Sequence, residues 1–120
     1  MNVHYRLAAM LTVLVVVAHS YLGEKYILIR LFHRGDLPRL LGSVEFTKDT
    51  LRLAWHITSV GFIGLAVALC LLPPGPASRG AAQAISVAFG ASGVVALAVS
   101  KGRHLSWIAF FVIAALAWLG

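Results

Sequence analysis

The chain has 120 residues, 60% of them hydrophobic and only 12% charged, with a net charge of +6 and a mean hydropathy of +0.89. A soluble domain carries about 25% charged residues, and one soluble core of this length cannot hide so much apolar surface. The composition therefore excludes an ordinary soluble domain and predicts an integral membrane protein made of one bundle.

The pI of 10.3 would point to nucleic acid in a soluble protein. Here six of the ten Lys and Arg residues (Lys25, Arg30, Arg34, Arg39, Lys48 and Arg52) lie together between two apolar segments. That placement fits membrane orientation and contact with anionic headgroups, and no nucleic-acid motif accompanies it. Cys70 is the only cysteine, which rules out an internal disulfide and a CxxC zinc site.

Four apolar stretches follow in chain order. The first, from about Tyr5 to Leu22, could be read as a signal peptide, with Met1–Arg6 basic, Leu7–Val17 apolar and Val16-Val17-Ala18 as a cleavage site. The apolar pattern continues through Tyr21, Leu22, Tyr26, Ile27, Leu28 and Ile29, as a retained helix requires. Arg30, His33 and Arg34 then form a basic last turn, with Gly35 as the C-terminal stop. One helix is expected over residues 4–34, roughly 45 Å long at about 1.5 Å per residue.

The second helix is expected over 44–72, with Ser43 as N-cap and Glu45 in its first turn. Pro73, Pro74 and Pro76 close it. The third is expected over 80–100. Its small residues include the pairs Ala84/Ala88 and Ser86/Gly90, together with Gly93. Small residues let helix backbones approach closely, which fits ordinary close packing within the chain, a central position for this helix or an oligomer seam. The fourth, over 105–119, is the shortest, and Trp107 and Trp118 near its ends fit interfacial anchors. The fold expected is all-α and polytopic, with four transmembrane helices. Helices 1 and 2 form a long antiparallel hairpin that projects into the cytoplasm. Lys and Arg concentrate in 21–50 and 101–104, so both termini are expected to face the periplasm.

Polar residues fall on matching faces of helices 1 and 2. On a 3.6-residue period, Thr12, His19, Gly23, Tyr26, Arg30 and His33 share one face, and Glu45, Asp49, Arg52, His56 and Ser59 share another. In a hairpin, residues at equal depth have numbers summing to roughly 75 to 77. His19 would then meet His56, Gly23 would meet Arg52 with Glu24 beside it, Tyr26 would meet Asp49, and Arg30 would meet Glu45.

An ionisable group inside an apolar helix is costly and marks a candidate site. His19 and His56 have three readings. They tie helices together through hydrogen bonds; they ligate a metal or haem, with Glu24 and His104 as candidate further ligands; or they serve proton or substrate binding.

Walker loops, GxSxG, HExxH, Rossmann glycines and an intramembrane carboxylate pair are all missing, which argues against a soluble-type enzyme. The size invites comparison with small multidrug-resistance transporters, but no acid lies between Leu7 and Ala18, where that family carries its coupling glutamate.

The pattern His19-Ser20-x-x-Gly23-Glu24, followed by Trp55-His56-Ile57-Thr58-Ser59, resembles a group of uncharacterised small bacterial four-helix inner-membrane proteins. The resemblance covers residues 18–64. It implies the architecture and a bacterial inner membrane, and no catalytic activity. The function expected first is a non-enzymatic accessory or scaffold protein. Its basic hairpin would meet anionic lipid or a membrane-protein partner, and its third helix would pack on a partner or a second copy. Metal or haem binding and a small oligomeric transporter are the alternatives.

Overall fold

The structure, a computed structural model, describes residues 2–120. Helix α1 runs over Val3–Phe32, α2 over Val44–Leu71, α3 over Arg79–Ser100 and α4 over Ser106–Leu119. No strand occurs among the described residues. The spans Val3–Phe32, Val44–Leu71 and Pro76–Ser100 are long and apolar enough to cross a membrane, and α4, with 14 residues, is shorter. The architecture is compatible with a helical membrane protein.

Local chemistry accounts for the helix ends. Asn2 caps α1 by accepting from the His4 amide at 2.9 Å, and Ser43 caps α2 by accepting from the Phe46 amide at 3.2 Å. Ser78 Oγ donates to the Pro73 carbonyl and fastens the proline loop. At the end of α3, Lys101 (φ 52°) and Gly102 (φ 78°) are left-handed, and the Gly102 amide returns to the Leu97 carbonyl at 3.0 Å.

Helix α1 ends at Phe32, earlier than the expected Arg34. His33 Nδ1 donates to the Ile29 carbonyl at 2.6 Å and closes the last turn. Gly35 does not take a left-handed conformation; in the following turn Leu41 (φ 49°) and Gly42 (φ 80°) do.

Arg34 and Asp36, both exposed, pair at 2.6 Å just after α1. The guanidinium holds the Asp36 carboxyl below its ordinary range. A lowered carboxylate pKa means that the contact is complete above the ordinary range and is lost as pH falls through the depressed value. An NMR titration of Asp36 should therefore give a midpoint below that of an unpaired aspartate, and Arg34→Gln should return it to normal.

Packing divides the molecule into two poles. At the pole of Asn2 and Gly120 all four helices meet in one core that includes Tyr5, Ala8, Leu69, Ile85, Phe89 and Ile113. Phe62 from α2, Phe89 from α3 and Phe110 from α4 form an aromatic layer there, with ring centroids 5.2 to 6.1 Å apart. Toward the other pole the α1–α2 pair and the α3–α4 pair diverge. The molecule extends 54 × 27 × 21 Å.

Helix α3 is not central. It packs chiefly on α4, whereas α1 has substantial contacts with both α2 and α4. The small residues explain this. Ser86 Oγ donates to the Ala114 carbonyl at 2.7 Å, and a Cβ added at Gly93 would come within 2.9 Å of the Phe111 ring. The small face of α3 is thus spent on α4, where close packing holds helices even without a hydrophobic driving force. Gly90 has more room, with Ala114 4.0 Å from an added Cβ, and Ala84 and Ala88 lie on the exposed face.

Candidate functional site

The polar contact between α1 and α2 is built from two short stretches. Helix α1 supplies His19, Ser20, Gly23 and Glu24, and α2 supplies Arg52, Trp55, His56 and Ser59 at helical spacings of three, one and three. Gly23 is buried against the Trp55 indole, which occupies the space a Cβ would need. Trp55 therefore lies flat on α1, and its ring stacks on the His19 imidazole with centroids 4.7 Å apart and planes 5° from parallel.

The two residues also exchange hydrogen bonds. Trp55 Nε1 donates to the His19 carbonyl at 3.1 Å, and His19 Nε2 donates to the Trp55 carbonyl at 3.3 Å. A carbonyl can only accept, so the proton of a neutral His19 is assigned to Nε2.

One turn further, Glu24 holds two partners. Arg52 reaches its Oε1 at 2.8 Å and His56 Nε2 donates to its Oε2 at 3.0 Å. His56 Nδ1 meets Ser20 Oγ at 3.2 Å, and Ser20 meets the buried Ser59 hydroxyl at 2.7 Å. Both nitrogens of His56 are thus engaged. The Arg52 guanidinium also lies over the Phe32 ring at 4.9 Å, where it joins the outer part of α1 to α2.

The outer ends of the two polar stripes do not meet as the regular period predicts. Arg30 does not pair with Glu45, and Tyr26 does not meet Asp49. A π-helical turn over Glu24–Leu28 is the cause. It inserts one residue into the α-helical repeat and rotates everything beyond it by about 100°. The next buried position after Gly23 is therefore Leu28, which is 2% exposed, five residues on. Tyr26 and Arg30 turn outward, and the Tyr26 ring receives Lys25 at 5.3 Å and Arg30 at 5.5 Å. Glu45 pairs within its own helix with Lys48 at 2.9 Å, and Asp49 is exposed.

His19 and His56 engage separate partners: His19 bonds the Trp55 carbonyl, and His56 bonds Glu24 and Ser20. His104 belongs to a separate group: its Nδ1 binds Ser106 Oγ at 2.7 Å in the turn before α4. Among the described residues no group of three or more His, Cys, Asp or Glu side chains is placed to hold a metal ion. Of the sequence-predicted site residues, His56, Glu24, Arg52 and Ser59 come together in one network, with Ser20 between them. Trp55 was the residue that sequence reasoning missed as part of the contact, and Gly23, expected opposite Arg52, lies under the Trp55 indole instead. A glycine one turn after a helix histidine, at the depth of a tryptophan on the neighbouring helix, was the available signal.

The series Ser20–His56–Glu24 has the order of a hydroxyl, an imidazole and a carboxylate. Acyl-transfer chemistry also needs free donors for an oxyanion. Ser20 sits inside a helix, where backbone amides are spent on the carbonyls of earlier turns. The arrangement instead joins two helices through polar groups that satisfy one another. It defines the class: an all-α protein of membrane character whose first two helices are joined by a polar contact. No family model, curated protein or solved structure matches this chain.

Proposed function

We propose that this is a small four-span protein of the bacterial inner membrane that acts as a non-enzymatic accessory or scaffold. Both termini lie on the periplasmic side, and the outer halves of α1 and α2 project into the cytoplasm as a basic hairpin. The observation that carries the reading is the closed nature of the α1–α2 contact. Among the described residues no buried side-chain polar atom lacks a partner, so the buried part of the contact holds no unsatisfied polar group.

Dimensions support the projection. The 54 Å long axis exceeds the roughly 30 Å of a hydrocarbon core. Helix α1 continues for thirteen residues past His19, about 20 Å at the helical rise. That part carries exposed Lys25 and Arg30, and the turn beyond it adds exposed Arg34, Arg39, Leu40 and Leu41. This end suits anionic headgroups together with the surface of a membrane-protein partner.

The competing reading, a metal or haem bound by His19 and His56, predicts different behaviour. Metal analysis and an optical spectrum of the purified protein, beside a His19→Gln/His56→Gln variant, separate the two. Glutamine keeps one hydrogen bond at each position, so the variant should fold with a loss of about 1–2 kcal/mol, and neither protein should carry stoichiometric metal. A metal or Soret band present in the parent and lost in the variant would overturn the scaffold reading.

A further inference from the structure

The outward face of α1 changes character along its length. Met10, Leu14, Val17, Tyr21 and Lys25 follow one another at spacings of four, three, four and four, so they share one face, and all are exposed. The stripe is apolar over its first three positions, aromatic at Tyr21 and cationic at Lys25. From Leu14 to Lys25 it runs roughly 16 Å at the helical rise, about the hydrocarbon depth of one leaflet.

The π-turn gathers a second cation at the charged end. In a regular α-helix residues five apart stand roughly 140° from one another, and the wider turn over Glu24–Leu28 lessens that angle for Lys25 and Arg30. Both come to the same Tyr26 ring, Lys25 Nζ at 5.3 Å and Arg30 Cζ at 5.5 Å from its centre, and Lys25 Nζ also lies 5.6 Å from the centre of the Tyr21 ring. Among the described residues neither cation enters an ion pair, whereas Arg34, Lys48 and Arg52 each hold a carboxylate. Glu24, the adjacent acid, is taken by Arg52 and His56 on the side of α2. An acidic protein surface would meet the two cations but not the apolar residues that continue the same face. A phospholipid supplies both in one molecule, with the tyrosine rings at the level between headgroup and chain. A zwitterionic headgroup brings its own ammonium to two unneutralised cations, and an anionic one does not.

We infer that this face of α1 holds an anionic phospholipid, its phosphate headgroup at Lys25 and Arg30 and an acyl chain along Val17, Leu14 and Met10. The site rests on the membrane-embedded hairpin proposed above and names the lipid contact that its basic end makes.

Native mass spectrometry of the detergent-purified protein, titrated with phosphatidylglycerol and separately with phosphatidylcholine of the same chains, counts bound lipid directly. Phosphatidylglycerol should bind at least about fivefold more tightly, and Lys25→Gln/Arg30→Gln should reduce that preference to under about twofold. Lys101→Gln/Arg103→Gln removes the same charge from the turn between α3 and α4 and should keep most of the preference. All four side chains are exposed, so neither variant disturbs packing. Equal binding of the two lipids by the parent protein, a preference that survives Lys25→Gln/Arg30→Gln, or an equal loss in the two double variants would overturn the assignment. Binding in detergent does not depend on sidedness, so such a failure would count against this site and leave the cytoplasmic projection standing. A protein with the preference but with the hairpin on the periplasmic side would keep the site and lose the projection.

Discussion

Gly23→Ala should destabilise the protein by about 1–3 kcal/mol, although the same change at an open helical glycine stabilises. Helix propensity alone favours alanine over glycine by about 1 kcal/mol. At Gly61 nothing lies within 4 Å of an added Cβ, so Gly61→Ala should gain most of that amount. At Gly23 the new methyl occupies the volume of the Trp55 indole. The ring cannot slide away without losing both its stack on His19 and its bond to the His19 carbonyl. The overlap therefore outweighs the propensity gain, and Gly23→Leu should prevent α1 and α2 from pairing. Thermal unfolding in detergent, followed by tryptophan fluorescence, reads both variants. A Gly23→Ala protein as stable as Gly61→Ala would mean that Trp55 does not lie on α1.

Removing the carboxylate at Glu24 has the second large effect. Glu24→Gln leaves the Arg52 guanidinium without its counter-charge and replaces a charge-assisted bond to His56 with a neutral one. Hydrogen bonds to charged groups contribute about 1.5–3 kcal/mol each. The pair is partly exposed, with side-chain exposures of 28% for Glu24 and 44% for Arg52, and solvent screening reduces the sum. A net loss of about 1–3 kcal/mol is expected. Glu45→Gln is the matched control. Its pair with Lys48 is local, its side chain is 75% exposed, and the loss should stay below about 0.5 kcal/mol. A double-mutant cycle of Glu24→Gln with Arg52→Gln should show coupling above about 0.5 kcal/mol. Equal effects at Glu24 and Glu45 would contradict the network.

Much of this arrangement was legible before the structure. Ser43 as a cap follows from its hydroxyl ahead of a long apolar helix, and the Phe46 amide does donate to it. An antiparallel sum near 76 brings Glu24 to the depth of Arg52, which is where the ion pair lies.

The outer half was not legible, for a physical reason. Glu24-Lys25-Tyr26-Ile27-Leu28 contains ordinary helix formers with no glycine or proline to mark an irregular turn. The π-turn follows directly on the contact of Trp55 with Gly23, and it adds one residue to the helix before the buried Leu28. A strict 3.6-residue count cannot foresee that step, so it misplaced Tyr26 and Arg30. Similarly, small residues along helix 3 predict a close partner but not which one. Ser86 and Gly93 find theirs in α4.

The projection of the basic hairpin into the cytoplasm is tested most directly by cysteine accessibility in a Cys70→Ala background. Leu41 is 84% exposed in the turn beyond α1, and Ala77 is exposed in the loop at the opposite pole. A membrane-impermeant maleimide should label Leu41→Cys in inverted inner-membrane vesicles and not in intact spheroplasts. Ala77→Cys should label in spheroplasts and not in inverted vesicles, and Leu14→Cys and Ile63→Cys, within the spans, should remain unlabelled in both. The opposite sidedness for Leu41 and Ala77, or ready labelling of Leu14 and Ile63, would contradict the account.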